Sequence, residues 1–184
     1  MSGDHTSHSL KRISREIVYK GSILDFCCDT VELPDGRQEK WDFVRHRKGI
    51  GACVVPVLPD GRILMAEQYR PAVDRMTLEL PAGGVDGKES TAETAARELR
   101  EETGYAAGCL RLLCSIDTAV AYCNERTDIY LAENLVKAGG QQQDEAEDIR
   151  VVSCSRKELK EMITEGKIRD AKTIAGLLAW WAGL

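Results

Sequence analysis

The sequence has no apolar run long enough to cross a bilayer and no apolar leader with a cleavage site. A membrane partner is therefore not expected. It has no basic excess either: 25 Lys and Arg against 30 Asp and Glu give a net charge of -5. That balance excludes non-specific nucleic-acid binding, which needs a basic surface. No two cysteines form a C-x-x-C pair. The seven, Cys27, Cys28, Cys53, Cys109, Cys114, Cys123 and Cys154, are an odd set without metal spacing. Reduced thiols in a cytoplasmic protein fit them better than a disulfide frame. Most lie in apolar runs and read as small core residues. His5, His8 and His46 form no ligand set. What is present is 184 residues with 43 % hydrophobic content, enough for one globular domain with a real core.

Turn signals punctuate the chain. Two L-P-D-G-R segments, Leu33–Arg37 and Leu58–Arg62, each join two strand-like runs and predict two hairpins. Further strands are expected at Met76–Leu80, Cys109–Asp117, Thr127–Ala132 and Asp148–Ser153. Ser155 with Glu158 makes a capping box that opens a helix to about Glu165. Asp170 caps a last helix, AKTIAGLLAWWAGL, whose Leu177, Leu178, Trp180 and Trp181 read as core or dimer packing. The stretch KAGGQQQD, Lys137–Asp144, reads as a loop. The start, MSGDHTSHS, reads as a frayed tail.

The most informative segment is Gly83–Tyr105, GGVDGKESTAETAARELREETGY. Its glycines suit a tight loop. Ser90 followed by Glu93 is a second capping box. Ala92, Ala95, Ala96 and Leu99 recur at helical spacing, and Gly104 stands where a C-cap glycine belongs. A helix over Thr91–Thr103 places Glu98 one turn below Glu102, with Glu101 beside them and within reach of Arg97. A solvated Glu/Arg face would be the ordinary reading. Like charges this close raise one another's pKa, whereas a hard divalent cation satisfies them and keeps positions open for substrate phosphates.

Gly83, Glu89 and Arg97-Glu98-Leu99-x-Glu101-Glu102-x-Gly104 resemble the box of the Nudix hydrolase superfamily, G-x5-E-x7-R-E-U-x-E-E-x-G-U. Tyr105 stands at the last position, where an aliphatic residue is usual. The resemblance implies hydrolysis of a nucleoside diphosphate linked to another moiety, with Mg2+ or Mn2+, one to three ions per site. It implies that Glu98 and Glu102 are metal ligands, that Glu101 and Arg97 belong to the catalytic set, and that Arg97 and Glu89 hold the loop–helix shape with Gly83 and Gly104. It also implies a carbonyl ligand from Ala82, and an α/β fold: an α/β/α sandwich with a mixed sheet.

The likeness extends beyond the box. Glu67–Pro71, Leu78–Gly83 and Tyr122–Arg126 occur in the same order in ADP-ribose and ADP-sugar pyrophosphatases. That resemblance implies a substrate-facing set of Trp41 on adenine and Arg70 on phosphate or terminal ribose. Arg45 shares the strand face of Trp41 by period two and is a further phosphate candidate, and Glu125 is a candidate in a substrate loop. Asp25 and Phe26 are further candidates, contributed from a neighbouring subunit. In the acidic run Asp144–Asp148 it implies a metal-side Glu147 and a general base at Glu145, with the reverse assignment open. The chain then divides into a tail over 1–12, an N-terminal β unit over 13–46 used in a homodimer, and a hydrolase domain over 47–184. ADP-ribose is the expected substrate. GDP-mannose, ADP-glucose or a non-catalytic binding module are the rivals.

Overall fold

The computed structural model describes residues 10–140 and 148–184. The chain forms two compact units, one running to Gly49 with Ala119–Glu125 added, the other holding Ile50–Thr118 and Arg126–Leu184.

The first unit is an antiparallel sheet of β1 (Lys11–Lys20), β2 (Leu24–Glu32) and β3 (Gln38–His46), with β2 in the middle. The β2–β3 turn is closed by Leu33 N–H donating to Arg37 O at 2.8 Å. Asp35 accepts from the Arg37 N–H at 3.1 Å, the reason Asp suits that position. The second L-P-D-G-R turn repeats both contacts with Leu58, Arg62 and Asp60. The segment Ala119–Glu125 docks on β3 through Val44 N–H to Tyr122 O and through Asn124, whose side chain pairs with the His46 backbone.

The second unit carries β4 (Ile50–Pro56), β5 (Ile63–Arg70), β6 (Arg75–Glu79), β7 (Ala82–Gly84), α1 (Thr91–Thr103), β8 (Tyr105–Ala106), β9 (Cys109–Asp117), β10 (Arg126–Glu133), β11 (Val136–Lys137), β12 (Arg150–Cys154), α2 (Arg156–Thr164) and α3 (Ala171–Ala182). Its main sheet runs β7-β4-β10-β9 and is mixed, because β10 lies parallel to β4 and antiparallel to β9. A second sheet runs β12-β5-β6, so the second L-P-D-G-R turn links strands of different sheets through one Val57–Ile63 bridge and is not the expected hairpin.

The run GACVVP is apolar at every position because β4 is buried on both faces. Cys53, Val55, Ile129 and Leu131 face one core with Leu159, Ile168 and Leu177 from the α2–α3 side. The alternate residues Ala52, Val54, Tyr130 and Ala132 face another with Ala95 and Leu99 of α1. Helices therefore cover both faces of a mixed sheet, which is the expected α/β sandwich.

Four local readings are corrected. Cys109 is exposed, since it begins an edge strand, while Cys27, Cys53 and Cys154 are buried. Leu178 is exposed although Leu177 is fully buried, because the helix turns it outward, so Leu178 is not core and of its two expected roles only dimer packing is left. Lys137 lies in β11, paired with Tyr105, and not in a loop. Asp25 is fully buried and so is out of reach of a ligand, whereas Phe26 is exposed.

Candidate functional site

Local chemistry builds the loop–helix segment. Ser90 Oγ accepts from Glu93 N–H at 3.2 Å, and Glu93 Oε2 accepts from Ser90 N–H at 2.7 Å, so two orphan donors of α1 are satisfied reciprocally. Gly104 ends the helix at φ 74°, and its N–H donates to Arg100 O at 2.8 Å. Pairing of β7 with β4 fixes the opposite wall, with Ala82 across from Cys53 and Gly83 across from Ala52.

Arg97 organises the acids. Its Nε donates to Glu89 at 3.0 Å, and its Nη1 donates to Glu98 at 2.7 Å and Glu101 at 2.9 Å. Its Nη2 donates to Gly84 O at 3.1 Å, tying helix to strand. Glu89 also accepts from Thr94 Oγ1 and the Asp86 N–H. The Arg97 fork, first of these contacts, holds the Glu89 carboxyl below its usual range. The same acids, Glu89 foremost, drive the Arg97 guanidinium higher still.

Glu98 is pressed against Gly83. A Cβ at Gly83 would lie 1.9 Å from Glu98 Oε1, so any side chain there would occupy the space of the carboxylate. Glu102, one turn on and 4 % exposed, accepts from the Ala82 N–H at 3.5 Å. The structure thus gathers Ala82, Gly83, Glu89, Arg97, Glu98, Glu101 and Glu102 around one helix face. One guanidinium against four carboxylates leaves a local negative excess made of hard oxygen donors. Among the described residues, no three or more His, Cys, Asp or Glu side chains close on one point as a metal cage. Such a partial donor set fits Mg2+, which is held by one or two carboxylates and completes its shell with water and substrate phosphate.

The remaining candidates fall in both units. In the first, Trp41 is 45 % exposed and lines a cavity of about 320 Å³ with Arg15, Asp29, Phe43, Tyr122 and Asn124. Arg45 Nε donates to Asp25 Oδ2 at 3.1 Å, and Arg47 Nε donates to Asp25 Oδ1 at 2.9 Å. The Arg47 and Arg45 forks outweigh burial and hold the Asp25 carboxyl at about 2. Glu125 ends the segment that docks on β3. In the second unit, Arg70 grips Glu79 with Nε and Nη2, both at 2.8 Å. Glu145 and Glu147 lie outside the described residues. Asp25 and Glu79, the buried carboxylates that orient Arg45 and Arg70, were missed as partners in the sequence, where they lie 20 and 9 residues from the arginines they hold. Cross-strand register sets Asp25 opposite Arg45, whereas Glu79 lies opposite Ala66 and the long Arg70 side chain reaches back to it along β5.

A model of the NUDIX domain matches residues 47–177. The chain belongs to the Nudix family. This Nudix hydrolase is 32 % identical over 164 residues to the ADP-ribose pyrophosphatase of Bacillus subtilis (strain 168), spanning 89 % of this chain and 88 % of the relative. It is 34 % identical over 175 residues to the ADP-ribose pyrophosphatase of Mycobacterium tuberculosis, spanning 94 % and 83 %. The crystal structure of an ADP compounds hydrolase superposes with a TM-score of 0.84 over 95 % of both chains at 21 % identity, a likeness of fold. No described helix of this Nudix hydrolase is long and apolar enough to cross a membrane.

Proposed function

We propose that this Nudix hydrolase cleaves the diphosphate of a nucleoside diphosphate sugar, with ADP-ribose as substrate and AMP and ribose 5-phosphate as products. The observation that carries the reading is the Arg97-centred box, in which Glu98 packs on Gly83 and Glu102 meets the Ala82 backbone. The relatives named above act on ADP-ribose by name, and likeness to them supports that substrate.

Hydrolysis forms a bond from water oxygen to one phosphorus and breaks the bridging P–O bond, with the electron pair leaving on the other phosphate. The electrostatic obstacle is the negative charge already on both phosphates. Glu98 and Glu102, with the Ala82 carbonyl and Glu101 at the margin, would hold one to three Mg2+ or Mn2+ ions. Bound there, such an ion screens the phosphates and lowers the pKa of its water. Arg97 and Glu89 fix the acids, Arg70 and Arg45 hold phosphate oxygens, and Trp41 stacks on the base. Glu125 contacts substrate from its loop. Glu145 and Glu147 supply the base that takes the water proton and a further metal-side carboxylate.

We further infer that the active form is a cytoplasmic homodimer joined through the β unit of residues 13–46, with 47–184 as the hydrolase domain; the expected tail over 1–12 is cut short by β1, which begins at Lys11. Free thiols at all seven cysteines support the compartment. Turnover of ADP-ribose, ADP-glucose, GDP-mannose and dinucleotides with Mg2+ and with EDTA tests it. The expected result is an ADP-ribose preference, abolished by EDTA, with AMP as a product. Preference for another member of the panel would keep the box and discard the roles of Trp41 and Arg70. Binding without turnover of any member would point to a binding module.

A further inference from the structure

A second ionic cluster in the hydrolase unit has the opposite polarity. Glu79, at the end of β6, is 3 % exposed. Besides the Arg70 fork, its carboxylate accepts from Lys172 Nζ at 2.6 Å and Thr77 Oγ1 at 2.7 Å. Lys172 also lies 2.9 Å from Asp170, whose carboxylate caps α3 through the Thr173 N–H. Burial pushes Glu79 up, but Arg70 and Lys172 together outweigh it and hold the carboxyl at about 2. A cavity of about 360 Å³ opens over this cluster, with Arg70, Arg75, Arg169 and Lys172 facing it against only Glu79 and Asp170.

One bidentate guanidinium is enough to pair one carboxylate, so the second cation calls for a reason. Were Arg70 the sole partner, a phosphate drawing on its charge would leave Glu79 a buried carboxylate short of compensation, which is costly. Lys172 and Thr77 keep Glu79 satisfied throughout. The grip on Glu79 uses Nε and Nη2 of Arg70 and leaves Nη1 outside it.

We propose that Lys172 is a positioning residue: by sharing Glu79 it locks the Arg70 fork and leaves the Arg70 charge available to a phosphate oxygen of the substrate. The proposal rests on the reading of Arg70 as a phosphate contact. Lys172 also lines the cavity, so the two roles are told apart by dependence on Arg70: a positioning effect vanishes when Arg70 is gone, whereas direct contact with substrate persists.

A double-mutant cycle reads this directly. Lys172→Met is expected to raise KM for ADP-ribose about tenfold with kcat within about twofold. Lys172→Arg restores KM. In an Arg70→Ala background, Lys172→Met adds nothing. Calorimetric binding of inorganic pyrophosphate to the same four proteins follows the same pattern. Equal losses with and without Arg70, or a fall in kcat at constant KM, overturn the proposal. If Lys172→Met does not fold, Lys172→Gln keeps an amide donor for Glu79 and runs the same cycle. Should the wild type hydrolyse no sugar nucleotide, the substrate reading fails. The pyrophosphate cycle then still decides: coupling supports the positioning role, and additivity or no binding overturns it.

Discussion

The two ionic clusters of the hydrolase unit are built as opposites. Around α1, a single arginine is shared among Glu89, Glu98 and Glu101. At the end of β6, a single glutamate is shared between Arg70 and Lys172. The first is left with excess negative charge and invites a cation. The second is left with cations facing a cavity and invites an anion. On the proposed function a metal-bound diphosphate carries both signs, and each cluster would meet one of them with a complementary shortage.

The largest effect should come from breaking the acidic cluster. Glu98→Gln or Glu102→Gln is expected to lower kcat by at least about 100-fold, since even supporting residues of a metal site cost 10–100-fold. Steady-state kinetics across a Mg2+ series would check this, and wild-type rates in either variant would end the metal-ligand reading. Next is Arg97→Lys. A point charge cannot reproduce a fork that meets three acids and the Gly84 carbonyl. A roughly 10-fold or greater fall in kcat is expected with a loss of about 2 kcal/mol in stability, read by urea unfolding.

The cationic cluster should respond in binding. Arg70→Ala is expected to raise KM about 10-fold or more, as loss of a charged hydrogen bond implies, with little change in kcat. Trp41→Ala should be milder, raising KM about fivefold through lost stacking.

A pH series sharpens the contrast. Glu79 is held at about 2, below its ordinary 4.5. Its folded pKa is depressed, so its contribution is present above about 4.5 and is lost as pH falls toward about 2. Thermal unfolding of wild type and Glu79→Gln should therefore differ most at neutral pH and converge by pH 2. A gap unchanged across that range would show that Glu79 is not the titrating group.

Much of this was legible in the sequence, where local rules govern. The Thr91–Thr103 helix, both capping boxes and both L-P-D-G-R turns follow from contacts within a few residues, and each formed as its residues require. The acids proposed as metal ligands were visible because helical spacing alone brings Glu98 and Glu102 together. Lys172 was not, because it meets Glu79 across 93 residues and only tertiary packing makes them neighbours. The short strands β7, β8 and β11 escaped for the same reason: two or three residues carry no periodicity, and their partners lie elsewhere in the chain.

The Arg97 fork has one more consequence. Because a side chain of the protein already ties Glu89, Glu98 and Glu101 to the strand at Gly84, the acids do not depend on a metal to keep them from flying apart. A metal bound as proposed would then be a visitor to a finished socket and not its keystone. Small metal-folded domains come undone under a chelator. Here chelation should silence the enzyme and leave it standing, ready to work again when the ion returns.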